Sequence, residues 1–205
     1  MSFRISEILY RWRIEEARKR LEEKLENEIY VTDLLFCPLK YRFQKQYREI
    51  ALASAFSPIT LMGELLHMGL ERFLVETFGS EAVKTEVEYE REVIVDNASY
   101  IVKGRIDVIV GDNVVEIKTS RSDLNIPHPH HVQQVRIYLW LTGLRRGLLV
   151  YLTPERIAEF YIETPASDGE IIDLIRSIIA GEPAPRYSWE CNYCAYSSLC
   201  PRKTR

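Results

Sequence analysis

Apolar residues recur along this chain with two different periods, and the changes of period mark out the elements. From about Arg4 to Glu28 a thin stripe of Ile5, Ile8, Leu9, Trp12, Leu21 and Leu25 runs through a heavily charged segment, which predicts an amphipathic helix. A second helical stretch begins near Thr32, a suitable N-cap, and breaks at Cys37-Pro38. "PITLMGELLHMGLERFLVETFG" predicts a long helix from about Thr60 to Phe78, closed by Gly79. The period then shortens to two. Strands are predicted at about Lys84–Val95, Tyr100–Val110 and Val114–Thr119. "IPHPHHVQQVRIYLWLTG" predicts a proline-started helix through about Gly143, "RGLLVYLTP" and "IAEFYIET" a further strand pair, and "SDGEIIDLIRSIIAGE" a capped helix ending at Gly181. The remaining tail is irregular and rich in cysteine. This order predicts a layered α/β domain with a mixed central sheet flanked by helices, and a lobe made from both chain ends.

One hairpin breaks the apolar pattern. "GRIDVIVGDNVVEIKTS" carries Asp107, Glu116 and Lys118 among β-branched residues. With a two-residue loop at Asp112-Asn113, Asp107 falls opposite Lys118 and Glu116 opposite Ile109. Alternation then puts Asp107, Glu116 and Lys118 on one face, and Ile106, Val108, Val110, Val115 and Ile117 on the other. Two carboxylates on one patch repel unless a cation lies between them. Oxygen ligands suit Mg²⁺ or Mn²⁺. A neighbouring ammonium can orient a water and steady developing negative charge, which is the layout of metal-assisted phosphodiester hydrolysis. The competing reading is a half-exposed strand face with a cross-strand ion pair.

Length and charge narrow the field. At 205 residues, 46% hydrophobic and 28% charged, the chain has room for one full core and an ordinary globular balance. The expectation is a single domain over residues 1–205, with a helical part at 1–58, a core at 59–182 and a Cys-rich tail at 183–205. No apolar run is long enough to span a bilayer, and the N-terminal segment is too charged for a signal peptide, so a cytoplasmic protein is expected. A net charge of −3 excludes a polycation that coats DNA, and requires any nucleic acid to be met by a local basic patch.

Cys191, Cys194 and Cys200 form C-x₂-C-x₅-C, and Cys37 is the one remaining cysteine. In a cytoplasmic chain this clustering reads as metal binding, with either a structural zinc or an iron–sulfur cluster suiting four thiolates. The long gap after Cys37 is unlike a compact zinc ribbon and leans to iron–sulfur. His67 lies in the long apolar helix one turn after Gly63 and one turn before Glu71, either as a metal ligand or as a packed core histidine. Gln134 and Tyr138 share a helix face and suit a phosphate or the lysine. The histidines of "PHPHH" read as a solvated loop and receive no site.

In chain order, "FCPLKY", "GELLH", "GRID", "EIK", "QVRIY" and "CNYCAYSSLC" resemble the CRISPR-associated RecB-like exonuclease family of the PD-(D/E)xK nuclease superfamily. The resemblance spans nearly the whole chain. The proline of the motif name is absent before Asp107, where Ile106 stands. The resemblance implies a RecB-like nuclease core with an iron–sulfur lobe formed by both chain ends. It implies metal binding by His67, Asp107, Glu116 and the carbonyl of Ile117, with Lys118 catalytic and Gln134 and Tyr138 supporting the site. Cys37, Cys191, Cys194 and Cys200 would hold the cluster, 4Fe-4S in preference to 2Fe-2S, with zinc as the alternative. Arg105 and Arg121 are expected to track phosphates, and Tyr138 and Tyr151 to stack bases. The implied activity is a Mn²⁺- or Mg²⁺-dependent exonuclease on single-stranded DNA ends, acting beside the CRISPR integrase complex. The alternatives are a non-catalytic iron–sulfur DNA-binding or redox adaptor, and a structure-specific endonuclease on the same core.

Overall fold

The structure, a computed structural model, describes residues 3–204. Helices α1 (Ile5–Glu23), α2 (Val31–Leu35), α3 (Pro38–Gln46) and α4 (Arg48–Ala53) form the N-terminal part, with β1 (Glu28–Tyr30) between the first two. The long helix α5 (Pro58–Phe78) leads into β2 (Val83–Val95), β3 (Ala98–Val110) and β4 (Asn113–Thr119). Then come α6 (Pro129–Thr142), β5 (Arg146–Leu152), β6 (Ile157–Ile162), α7 (Asp168–Ala180) and the short α8 (Glu190–Tyr193). No helix among the described residues is long and apolar enough to cross a membrane.

The expected strands after α5 are present to within a residue or two, but β1 differs from the expected fold. The first helix stops at Glu23 instead of running to Glu28, and Glu28–Tyr30 pairs in parallel with Ile101–Lys103 of β3. Ile29 and Tyr30 are strand formers, and the short pairing buries Ile29. The hairpin loop also differs. Gly111 sits at φ +55 and takes the first loop position, so the loop is Gly111-Asp112 and Val110 pairs with Asn113. The register slides by two residues from expectation. Extended, it brings Glu116, not Lys118, opposite Asp107.

The sheet runs β1-β3-β4-β5-β6, with β2 along the other edge of β3. One edge of β3 is therefore shared by two strands. Its first half holds β1 at Ile101–Lys103, and its end holds β4 at Val108–Val110. Residues 104–107 lie in the notch between them, where no strand pairs on that edge. On the β2 side, the ladder is also interrupted opposite Asp107, at Glu86 with φ +52. Alternation slips at this point. Ile106 joins the large core under α6 and α7, whereas Val108, Val115, Ile117 and Val150 pack with Leu70, Leu74 and Val75 of α5. Ile106 thus does not share a face with Val108, as strict alternation requires, because the strand is kinked at Asp107.

Two glycines let the helices close on this notch. A Cβ at Gly63 would lie 3.1 Å from Thr119 Oγ1, so α5 runs close against the end of β4. A Cβ at Gly104 would meet Leu141 Cδ1 at 2.8 Å, Tyr138 Cε1 at 2.9 Å and Val31 Cγ2 at 3.1 Å. The Tyr138 ring has no rotamer freedom with which to retreat. Gly104→Ala is expected to destabilise by about 1–3 kcal/mol through overpacking. At about 2–4 °C per kcal/mol for a chain of this size, thermal denaturation followed by circular dichroism reads this directly.

Candidate active site

The notch in β3 collects polar groups that an ordinary sheet would not bury. Asp107 Oδ2 accepts a hydrogen bond from the Ile117 N–H at 2.8 Å, replacing the ladder bond that the kinked strand does not make. His67 of α5 brings Nδ1 to 3.5 Å from the same oxygen. Glu116 is only 2% exposed. Its Oε1 accepts from Lys118 Nζ at 2.5 Å, while its Oε2 is buried with no partner. Asp107, Glu116 and Lys118 are brought together as the sequence suggested, by a register two residues from the expected one.

These carboxylates are held against ionisation. Burial, and then the charge of Asp107, pushes Glu116 up to about 8 even with Lys118 beside it. Burial also raises Asp107, against the opposing pull of His67, Lys118 and the Ile117 N–H. His67 is pushed down, chiefly by burial. An orphaned buried oxygen and two disfavoured anions fit a divalent cation, which would satisfy all three.

Two acidic residues that sequence reasoning left without a role also face this site. Glu71, one turn after His67 on α5, is 8% exposed, and its Oε1 has no partner. Burial, followed by the charges of Glu86 and Asp107, pushes it up to about 7. Glu86 sits on the interruption of β2 and is raised by burial and by Asp107. The i, i+4 spacing of His67 and Glu71 was the available signal. For Glu86 the sequence carried none, since its exposure to the site comes from a backbone irregularity.

Gln134 and Tyr138 support the notch from α6. Gln134 Nε2 donates to the Tyr138 hydroxyl at 3.0 Å, and that hydroxyl donates to the Arg105 carbonyl at 2.8 Å. The free edge of β3 is thereby capped two residues before Asp107. Tyr138 is 3% exposed and Tyr151 is fully buried, so neither ring presents a face to a base, and the stacking expected of them is corrected. The Tyr151 hydroxyl instead accepts from the His128 N–H at 3.0 Å and lies 2.7 Å from His131 Nδ1.

The histidine segment is not the solvated loop that its prolines suggested. His130 and His131 pack ring against ring at 4.2 Å, and His130 lies against Trp189, Tyr187 and Phe36. Burial, joined by the neighbouring imidazoles and Lys118, holds His130 down at about 4 and His131 at about 2. Both rings are neutral. Arg105 is tied to Glu86 at 2.5 Å, while Arg121 is exposed in the connection after β4.

A cleft of about 720 Å³ opens from the notch, with α1 as its far wall. Trp12, Arg13, Arg20 and Lys24 line that wall, and Arg105, His67, Glu71 and Asp107 the other.

The cysteines meet elsewhere. Cys37, Cys191, Cys194 and Cys200 all line one cavity of about 190 Å³, walled by Phe36, Leu39, Phe43 and Trp189. Glu190 binds the two chain ends together there. Its Oε1 accepts from the Cys37 N–H at 2.8 Å, and its Oε2 from the N–H groups of Arg186 at 2.8 Å and Tyr187 at 2.9 Å. Among the described residues only His67, Glu71 and Asp107 bring three ligand atoms within 4.8 Å of one another, so the sulfurs are spread more widely than that.

Comparison with known proteins agrees with this geometry. A family model of the PD-(D/E)XK nuclease superfamily matches residues 74–201. The CRISPR-associated exonuclease Cas4 of Saccharolobus solfataricus is 44% identical over 204 residues, 97% of this chain and 98% of that protein. The crystal structure of SSO0001 matches over 100% of both chains, at a TM-score of 0.94 and 42% identity. An alkaline exonuclease of Laribacter hongkongensis aligns over 95% of this chain and 100% of that one, with a TM-score of 0.47 and 14% identity. With 44% identity along nearly the full length, and a superfamily match that includes the whole Asp107–Lys118 hairpin, the chain belongs to the CRISPR-associated Cas4 exonucleases of the PD-(D/E)XK nuclease superfamily.

Proposed function

We propose that this nuclease shortens single-stranded DNA from its ends, in the cytoplasm, with Mn²⁺ or Mg²⁺, and prepares fragments for CRISPR spacer acquisition beside the integrase complex. The observation that carries the catalytic reading is the buried Glu116, with one oxygen on Lys118 and the other on nothing, next to Asp107. His67, Asp107, Glu116 and the Ile117 carbonyl are the ligands in this reading. The imidazole tips the preference towards Mn²⁺. A bound divalent ion lowers the pKa of a coordinated water and draws charge from the phosphate oxygens. Lys118 holds the attacking water by hydrogen bonding from Nζ and offsets charge on the pentacovalent phosphorus. Gln134 and Tyr138 fix the β3 edge so that Asp107 keeps its position.

The single-strand reading rests on the cleft under α1. Arg13, Arg20, Lys24 and Arg105 line it and suit phosphates, and Trp12 supplies the aromatic face that Tyr138 and Tyr151 do not. Arg121 extends the basic track outside it.

In the same proposal Cys37, Cys191, Cys194 and Cys200 hold a structural iron–sulfur cluster, 4Fe-4S in preference to 2Fe-2S. Sulfurs on one zinc, at Zn–S of about 2.3 Å, stand roughly 3.8 Å apart in a tetrahedron. The wider spread of these thiols and their apolar walls favour the larger group. The chain then works as one nuclease domain, with the 183–205 tail closing the cluster lobe on the 1–58 part.

Single strands labelled at the 5′ or the 3′ end, incubated with Mn²⁺ and anaerobically purified protein, test the function. Progressive shortening by wild type and none by Glu116→Gln is expected, with duplex ends cut more slowly. Internal cuts on both labels would replace the exonuclease reading with the endonuclease one. Binding without cutting would replace it with the adaptor.

A further inference from the structure

Glu71 is the one buried acid beside the hairpin that the proposed ligand set does not use. It projects from α5, one turn beyond His67, towards Asp107. One ligand atom from each of the three residues lies within 4.8 Å of the other two. Glu71 is more than nine-tenths buried and its Oε1 has no hydrogen-bond partner. A buried carboxyl oxygen without a donor costs about 1–3 kcal/mol or more, whether the group is ionised or not. Neither protonation state of Glu71 supplies Oε1 with a partner from the described residues.

We propose that His67, Glu71 and Asp107 form a second divalent-ion position, on the α5 side of Asp107. It lies beside the position formed by Asp107 and Glu116, and it rests on the reading of those two as metal ligands. Asp107 is the shared ligand, since His67 approaches Oδ2 from α5 while β4 faces the carboxylate from the other side. Two carboxylates balance the charge of one divalent cation, and the imidazole selects Mn²⁺ over Ca²⁺ and Mg²⁺. The position opens to the basic cleft under α1, so an ion there would meet phosphate on the cleft side of the notch. Paired ions of this kind stabilise the attacking and the leaving oxygens of an in-line displacement together.

The test counts bound Mn²⁺ on the full-length, anaerobically purified protein by calorimetry and electron paramagnetic resonance, without DNA. Wild type is expected to take up two Mn²⁺ with a spin-coupled spectrum. Glu71→Gln, which preserves shape, is expected to take up one, uncoupled. Glu116→Gln is expected to keep one, held by the α5 side. Two ions in Glu71→Gln, or a single ion in wild type, would overturn the second position while leaving the catalytic reading standing. No Mn²⁺ in wild type would overturn both. Circular dichroism melting of each variant separates lost binding from lost folding, and the wild-type count decides the matter if Glu71→Gln does not fold.

Discussion

Lys118→Ala is expected to lower the rate of strand cutting by about 10²–10⁴-fold while Mn²⁺ still binds. The geometry gives Lys118 two tasks that no other described cation can take over at this spot. Nζ stands 2.5 Å from Glu116 Oε1, where it opposes the burial and the Asp107 charge that raise Glu116 to about 8. The same ammonium is the only cationic side chain bonded to the catalytic hairpin's acids on the β4 side, so developing charge on the phosphate has no substitute partner there. The two tasks separate experimentally in single-turnover cutting measured against pH and Mn²⁺. If Lys118 acts mainly by keeping Glu116 ionised, activity of the variant recovers as pH rises through 8 and beyond. If it acts on the attacking water and the transition state, the loss persists at every pH. Near-wild-type cutting by Lys118→Ala would remove the lysine from the mechanism.

Cys37→Ala is expected to release the bound cluster and to lower the thermal midpoint by about 10–20 °C. A group held by Cys37 together with Cys191 closes a loop of about 150 residues. Chain-entropy arguments value such a closure at about 5 kcal/mol, through restriction of the unfolded chain. The native side adds to this, because the cavity that the thiols line is shared by Phe36, Phe43 and Trp189 from both chain ends. Iron content and visible absorbance report the cluster, and thermal denaturation reports the closure. A variant that keeps its iron and its midpoint would show that Cys37 is not a ligand.

The fold was legible where side-chain period and terminator agree. The β-branched run of β3, the αL Gly143 after α6 and the Ser167–Glu170 capping box of α7 each state an element in local terms. The catalytic hairpin was legible as a set of residues sharing a patch, because moving the register by two preserves the face of every side chain. Its loop was not. Gly111 and Asp112-Asn113 are both good turn chemistry, and the choice between them is made by the backbone at Gly111. The strand β1 was hidden because three residues carry no period of their own and are held by pairing with residues some seventy positions away. Glu71 and the histidines were misjudged for a related reason. Nothing near Glu71 in sequence says that β2 and β3 will bury it. Nothing near His130 says that Tyr187 and Trp189, from the far tail, will cover it.

The construction of the cysteine cavity from both ends of the chain imposes an order of events during synthesis. Cys37, with Phe36 and Phe43, leaves the ribosome about 150 positions ahead of Cys191. At 5–20 residues per second this is a delay of roughly 8–30 s. All six strands and the catalytic hairpin precede Cys191 and are complete within that interval. Each newly made molecule therefore passes through a stage in which the nuclease sheet can assemble while one wall of the cavity stands open and its lone thiol waits. Whatever the four thiols hold is loaded after the catalytic centre has been translated. The closing of that cavity by the Glu190 carboxylate is the last step of the protein's maturation.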